Sequence, residues 1–375
     1  MNFDCIRSRM DEADLDVLVA TSFENVAYLS RAVIITQRQI PERLAAVIVP
    51  RQGEPVLVVC TIEESLARRD SRIPDIRGYV EFSRSPVDLI AEVVQEKGGT
   101  GGRIGIETQV LSVHYFRELE RALPGATFKS ADDFLAALRM VKQPEEIALL
   151  EKAALATDAA IRAAYEKGRA GISDTFIANA LVSGIQFSGA DSIAFLTLGS
   201  GPSAALAHPA PMNRVLEAGD VVRCDVGGYY RGYYSDLART AVVGKPTAEQ
   251  ADTYRRLWQI HEETIAAVRP GVTAGELFAT CRAAFDRQGL QLNLPHIGHS
   301  LGLGLHERPM LTPFNETPLQ EGMVLAIEPV HRFADGTIFH VEDLVEVTAD
   351  GRRVLSRSAD WSDLFVMNGT HEPGE

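Results

Sequence analysis

The sequence predicts an α+β protein of two domains. An N-terminal mixed α/β domain occupies 1–138, a C-terminal domain built on a duplicated unit occupies 139–366, and a flexible tail covers 367–375. Three observations predict this. The chain of 375 residues exceeds the ~250–300 residues at which a single core stops growing. Its first third alternates short apolar strands with amphipathic helices. Its remainder contains a helix–helix–strand pattern that occurs twice.

The elements follow in order. Residues 16–21 (DVLVAT) read as a buried strand, and Ser22 opens a short helix. Residues 44–49 (LAAVIV) and 55–60 (PVLVVC) read as a hairpin across Pro50-Arg51-Gln52-Gly53. Pro86 to Lys97 is helical by the spacing of Val87, Leu89, Ile90, Val93 and Val94. The glycine cluster 98–102 (GGTGG) ends that helix and precedes the strand Arg103–Ile106. A phosphate loop needs the reverse order, so the cluster reads as a plain turn. No dense group of chemically useful residues lies in this domain.

The second domain opens at Lys142-Gln143-Pro144-Glu145-Glu146. Proline at the first helical position followed by two acids starts a helix, which runs to about Lys167 and stops at Gly168. Thr247 with Gln250, and Thr273 with Glu276, have capping-box spacing and open two more helices, and Gly289 ends the second. The repeat is visible in the joints. One long helix ends in Gly171-Ile172-Ser173 and another in Gly271-Val272-Thr273. Each half continues to a His-x-x-Pro, at His208 to Pro211 and at His306 to Pro309. Each then has an apolar strand opened by glycine, Gly219 to Asp225 and Gly322 to Glu328. In both, a carboxylate stands six residues after the glycine (225 − 219 and 328 − 322).

Charge and cysteine usage exclude several classes. The net charge of −14 repels nucleic acids and anionic membranes, so neither is an expected partner. Cys5, Cys60, Cys224 and Cys281 form no CxxC pair, which excludes a zinc knuckle or redox motif and points to a reducing compartment. The N-terminus lacks a signal-peptide layout and no window of 18 residues is uniformly apolar. A cytoplasmic location is therefore expected.

The chemistry gathers at strand ends. Asp225 ends VVRCD, and Asp236 follows after GGYYRGYYSD. Their odd separation puts them on opposite faces of a single strand, but two strands folded over a tight turn aim both at one point. Glu328 ends GMVLAIEP, Glu342 sits in HVEDLVEV, and His299 lies in Gly298-His299-Ser300. Apart from Arg223, no basic residue is expected in these strands. Four buried carboxylates repel and desolvate one another unless protonated or paired with cations. Four carboxylates and one imidazole suit two divalent ions with shared bridging carboxylates, and the oxygen-rich set favours Mn, Co, Fe or Zn. Two such ions ~3.5–4 Å apart hold a bridging hydroxide and polarise a carbonyl. A solvated strand end explains one such acid, but not a set at matched positions of a repeat. Gly298 to Gly302 also matches G-x-S-x-G, but Gly302-Leu303-Gly304 makes a poor helix start, so a nucleophile elbow is rejected.

The stretches AHPAP, GDVVRCDVGGYYRGYYSDLART, GHSLGLGLHERP, GMVLAIEP and HVEDLVEV resemble the pita-bread metallopeptidases. That family includes methionine aminopeptidase, aminopeptidase P, prolidase and the metal-free creatinase. The resemblance runs in order over roughly 140–360, and residues 1–138 resemble, more weakly, the creatinase/prolidase N-terminal domain. It implies a pita-bread fold with an internal pseudo-two-fold repeat. It also implies a dinuclear metal-dependent hydrolase of a small amide or peptide bond, either an Xaa-Pro dipeptidase or aminopeptidase P-like, with manganese the foremost metal. On that resemblance Asp225 chelates one ion, Asp236 and Glu342 bridge both, and His299 and Glu328 complete the second. Glu328 also shuttles protons beside the nucleophilic hydroxide. His208 and His306 flank the substrate and stabilise the tetrahedral oxyanion. A homodimer is implied too, in which one N-terminal domain caps the neighbouring site, making Arg31, Gln37 and Arg38 candidate substrate contacts.

One position departs from the pattern. The family typically has arginine two residues before the last glutamate ligand, and here that residue is His340. Histidine offers neither a permanent charge nor a fork of donors. His340 is therefore a candidate substrate-binding residue that alters specificity. It keeps open an ectoine hydrolase-like or dimethylsulfoniopropionate lyase-like enzyme on the same scaffold. A non-catalytic binding module is disfavoured because no ligand is lost. His331 is expected in a loop.

Overall fold

Alternating apolar runs account for the N-terminal architecture. The computed structural model describes residues 3–368 and separates into two units between Arg139 and Met140. In the first unit, β1 (Val17–Ala20), β2 (Ala46–Pro50), β3 (Val56–Cys60), β4 (Asp75–Tyr79), β5 (Arg103–Ile106) and β6 (Thr127–Ser130) form one sheet of order β4-β3-β2-β1-β5-β6. The expected hairpin is β2–β3, with Ala46 opposite Val58. VLVA in β1 and VLVVC in β3 are buried at every residue, because helices cover both faces of the sheet. One apolar cluster contains Leu18, Leu57 and Leu135, and the other contains Val19, Val58 and Ile90. The Ser22 hydroxyl caps helix Phe23–Ser30 by accepting from Asn25 N. Gly98 (φ 88°) and Gly101 (φ 68°) turn the chain out of the helix ending at Val94 and into β5.

The second unit carries the duplication. Helices Pro144–Glu166 and Asp174–Phe187 precede β7 (Ser192–Ser200), β8 (Val221–Tyr230), β9 (Tyr233–Tyr234) and β10 (Leu237–Val243). Helices Ala248–Ala266 and Ala274–Arg287 precede β11 (Gly298–Ser300), β12 (Glu307–Met310) and β13 (Val324–Ile327). The chain then forms β14 (Val330–Arg332), β15 (Ile338–His340), β16 (Asp343–Thr348), β17 (Gly351–Val354) and β18 (Phe365–Met367). One sheet has the order β18-β10-β8-β7 with β9 beside β8, and the other has the order β12-β11-β13-β16-β17. The backbone repeats at the joints. Gly171 N donates to Leu216 O and Gly271 N to Leu319 O, both at 2.9 Å. Gly219 N donates to Val243 O at 2.7 Å and Gly322 N to Val347 O at 2.9 Å. All four glycines have φ between 85° and 93°, a region that side-chain-bearing residues adopt at a cost.

Two expectations need correction. Met367 is not the start of a tail. It is buried in β18, opposite Val243 of β10, with its sulfur packed against Gly168. The remainder of that expected tail, 369–375, lies outside the described residues. His331 is not in a loop but on β14, opposite Phe339 of β15, with its ring edge-on to Phe333.

Candidate active site

Strand register explains why distant acids meet. Asp225 of β8 lies opposite Ala238 of β10. Asp236 stands two residues before Ala238, so alternation puts both carboxylates on one face. The turn between them depends on Gly227, where a Cβ would stand 1.9 Å from Ser235 O. In the second sheet His299 lies opposite Ala326, and Ala326 opposite Leu344. Glu328 and Glu342 are two residues from Ala326 and Leu344, so they share the His299 face. Glu342 N donates to Ala238 O at 3.1 Å, which joins the ends of the two sheets.

His299 Nε2 lies 3.7 Å from Asp236 Oδ2 and 3.5 Å from Glu328 Oε1. His340 Nε2 lies 3.4 Å from Glu328 Oε2. Asp236, His299 and Glu342 offer donor atoms within 4.8 Å of one another, and Glu328, His340 and Glu342 form a second such group. Asp225 Oδ1 and Glu342 Oε1 are buried without a hydrogen-bonding partner. Burial pushes Asp225 above the usual carboxylate range, and Asp236 and Glu342 far above it, with the neighbouring acids adding to the shift. Burial holds the His299 imidazole down at about 4, in the neutral form that ligates metals. Burial also pushes Glu328 up, but the imidazoles of His296, His340 and His299 more than offset it and hold it below its usual range. Crowded buried acids beside an imidazole are a donor set that could hold a divalent cation. These residues fit a divalent metal centre.

The expected inventory of basic residues omits Arg239. It lies in β10 three residues after Asp236 and is fully buried. Its guanidinium donates to Asp158 Oδ1 at 2.9 Å, Asp343 Oδ1 at 2.7 Å and the Glu342 carbonyl. Two other carboxylates thus balance it, and the four clustered acids keep no lysine or arginine partner of that kind. Arg223 donates to the carbonyls of Leu206 and Ala207, both at 2.7 Å, and so holds the segment leading to His208.

His208 and His306 are both exposed, and the His306 ring stacks on His299 at 3.9 Å between centroids. His296 is absent from the sequence expectations. Its Nδ1 stands 3.5 Å from Glu328 Oε1, and that carboxylate raises its pKa. The available signal was its position three residues before His299. Ser300 accepts a hydrogen bond from the buried Lys142 Nζ at 3.1 Å, and no helix follows it, so the nucleophile-elbow pattern is accidental. Lys142 also pairs with Glu307 at 3.0 Å, and Glu307 accepts from Gly304 N at 2.9 Å, which pins the loop between His299 and His306. In the N-terminal unit, Gln37 donates to the carbonyls of Thr21 and Ala45. Arg38 pairs with Glu24 at 3.0 Å and lies over the Phe23 ring. Arg31 is exposed at the left-handed end of helix Phe23–Ser30.

Comparison with known proteins identifies the family. The model of metallopeptidase family M24 matches residues 148–349, and that of the creatinase/prolidase N-terminal domain matches residues 4–141. The chain is 30% identical to an Xaa-Pro dipeptidase of Pyrococcus horikoshii, over 93% of this chain and 95% of the relative. It is 32% identical to a probable dipeptidase of Mycobacterium tuberculosis, over 91% of this chain and 89% of the relative. The crystal structure of the prolidase from Pyrococcus horikoshii superposes with a TM-score of 0.85 at 28% identity, covering 96% of this chain and 99% of that one. No helix among the described residues is long and apolar enough to cross a membrane.

Proposed function

Because the chain belongs to metallopeptidase family M24 and carries a creatinase/prolidase N-terminal domain, we propose that it is a dinuclear metal-dependent Xaa-Pro dipeptidase. The observation that carries this reading is the convergence of Asp225, Asp236, His299, Glu328 and Glu342 where the two sheets join, with buried carboxylate oxygens left unpartnered. Asp236 and Glu342 would be the shared ligands. Bound divalent ions supply Lewis acidity and a water of lowered pKa. On the family resemblance Glu328, beside His299 and His340, takes a proton during attack and returns it to the leaving nitrogen. His208 and His306 stand on the exposed side and donate to the scissile carbonyl as negative charge develops. Stacking on His299 fixes the His306 ring. Manganese as the native ion, a homodimeric assembly and a cytoplasmic location complete the reading on the family resemblance.

Aminopeptidase P-like action on longer peptides is the second reading, since both activities use the same centre. The ectoine hydrolase-like and lyase-like alternatives gain support neither from the relatives above nor from the site. The test is proline release by the manganese-loaded protein from Xaa-Pro dipeptides and Xaa-Pro-Yaa tripeptides, with Asp236→Ala as control. Proline from dipeptides alone is expected. Release of Xaa from the tripeptides identifies the second reading. Full activity and full metal content in Asp236→Ala would overturn both.

A further inference from the structure

One imidazole at the centre makes no hydrogen bond through its ring. His340 is 4% exposed, and neither of its ring nitrogens has a hydrogen-bonding partner. Its Nε2 stands 3.4 Å from Glu328 Oε2 without forming a hydrogen bond. The ring is held there by its backbone. His340 N donates to Thr240 Oγ1 and that hydroxyl donates to His340 O, both at 2.9 Å, while β15 pairs with β14 at Val330. Burying an unpaired polar ring is costly unless something satisfies it. Its donor atom lies within 4.8 Å of those of Glu328 and Glu342, so a single cation among the three would satisfy all of them.

We propose that His340 is itself a metal ligand. Its Nε2 would join Glu328 and Glu342 as donors to one divalent ion of the centre. The inference rests on the metallohydrolase reading above. It replaces the expectation that His340 contacts substrate, because Nε2 is then coordinated and Nδ1 is buried. A second imidazole also softens the centre and moves its preference from manganese towards cobalt and zinc.

The test uses the full-length protein with 15N-labelled histidine, loaded with 113Cd. Two histidines, His299 and His340, should show one-bond 113Cd–15N coupling, with His296 not among them. The His340→Gln variant should lose one coupled resonance. Its zinc affinity should fall at least about tenfold further than its manganese affinity. The wild-type count of coupled rings stands even if the variant folds poorly. Two bound ions with a single coupled histidine would overturn the inference and leave the metallohydrolase reading intact, as would wild-type zinc affinity in a folded His340→Gln. Failure of the wild-type protein to bind any divalent ion would overturn the reading and the inference together.

Discussion

Lys142 is 4% exposed, and its Nζ bonds to partners far away in sequence, Ser300 and Glu307. Replacing it with methionine leaves Glu307 buried without its cation. Losing one member of a buried pair costs about 3–5 kcal/mol, so Lys142→Met should lower the unfolding free energy by that amount in a denaturant titration. Lys142→Met combined with Glu307→Gln should recover most of it, because glutamine keeps an acceptor for Gly304 N. Dipeptide turnover should fall in both variants through kcat, since the loop bearing His306 is loosened. Recovery of no stability in the double variant would show that the pair is not the cause. The same residue marks a limit of sequence reading. Asp225 and Glu328 are legible because each stands six residues after a glycine that opens a strand. Lys142 with Glu307, and Arg239 with Asp158, are separated by 165 and 81 residues, and no local spacing signals such pairings. His296 looks in sequence like any loop histidine until Glu328 is placed beside it.

Elements set the geometry that residues exploit. The β8–β10 hairpin brings Asp225 and Asp236 to one face despite their odd separation, and it closes only because Gly227 has no Cβ. Gly227→Ala would drive a methyl into the Ser235 carbonyl at 1.9 Å, so the ligand hairpin must open. The expected result is loss of bound metal, measured by elemental analysis, with a large fall in melting temperature. Gly53→Ala is the control. That glycine has φ 93°, and a methyl added there would meet nothing within 4 Å. The substitution should therefore cost only about 1–2 kcal/mol of backbone strain and leave metal binding normal. Equal metal loss in both variants would refute the hairpin argument. Long amphipathic helices and the glycine joints of the repeat are readable in sequence because their signals are periodic or punctuated. The three residues of β18 are too few for periodicity, and their strand character comes from pairing with β10.

At the scale of the whole chain, the two units have separate apolar clusters, and the clustered acids lie only in the second. Metal removal should therefore destabilise the units unequally. A ligand that binds only the folded state contributes about 2.7 kcal/mol at one hundred times its dissociation constant, and its removal leaves the four acids to repel one another. Both tryptophans, Trp258 and Trp361, fall in the second unit and are buried there, so their fluorescence reports that unit alone. Far-ultraviolet circular dichroism reports the helices of both. On adding a chelator, the fluorescence midpoint should drop by several degrees. The circular dichroism trace should split, with one component following the tryptophans and the other holding its temperature. Titrating manganese back should return the fluorescence midpoint and leave the second component still. A fluorescence midpoint indifferent to chelator would mean that no stabilising ion is held among these carboxylates. Movement of both components together would mean that the units unfold as one cooperative body, in which the metal stabilises the N-terminal sheet as well.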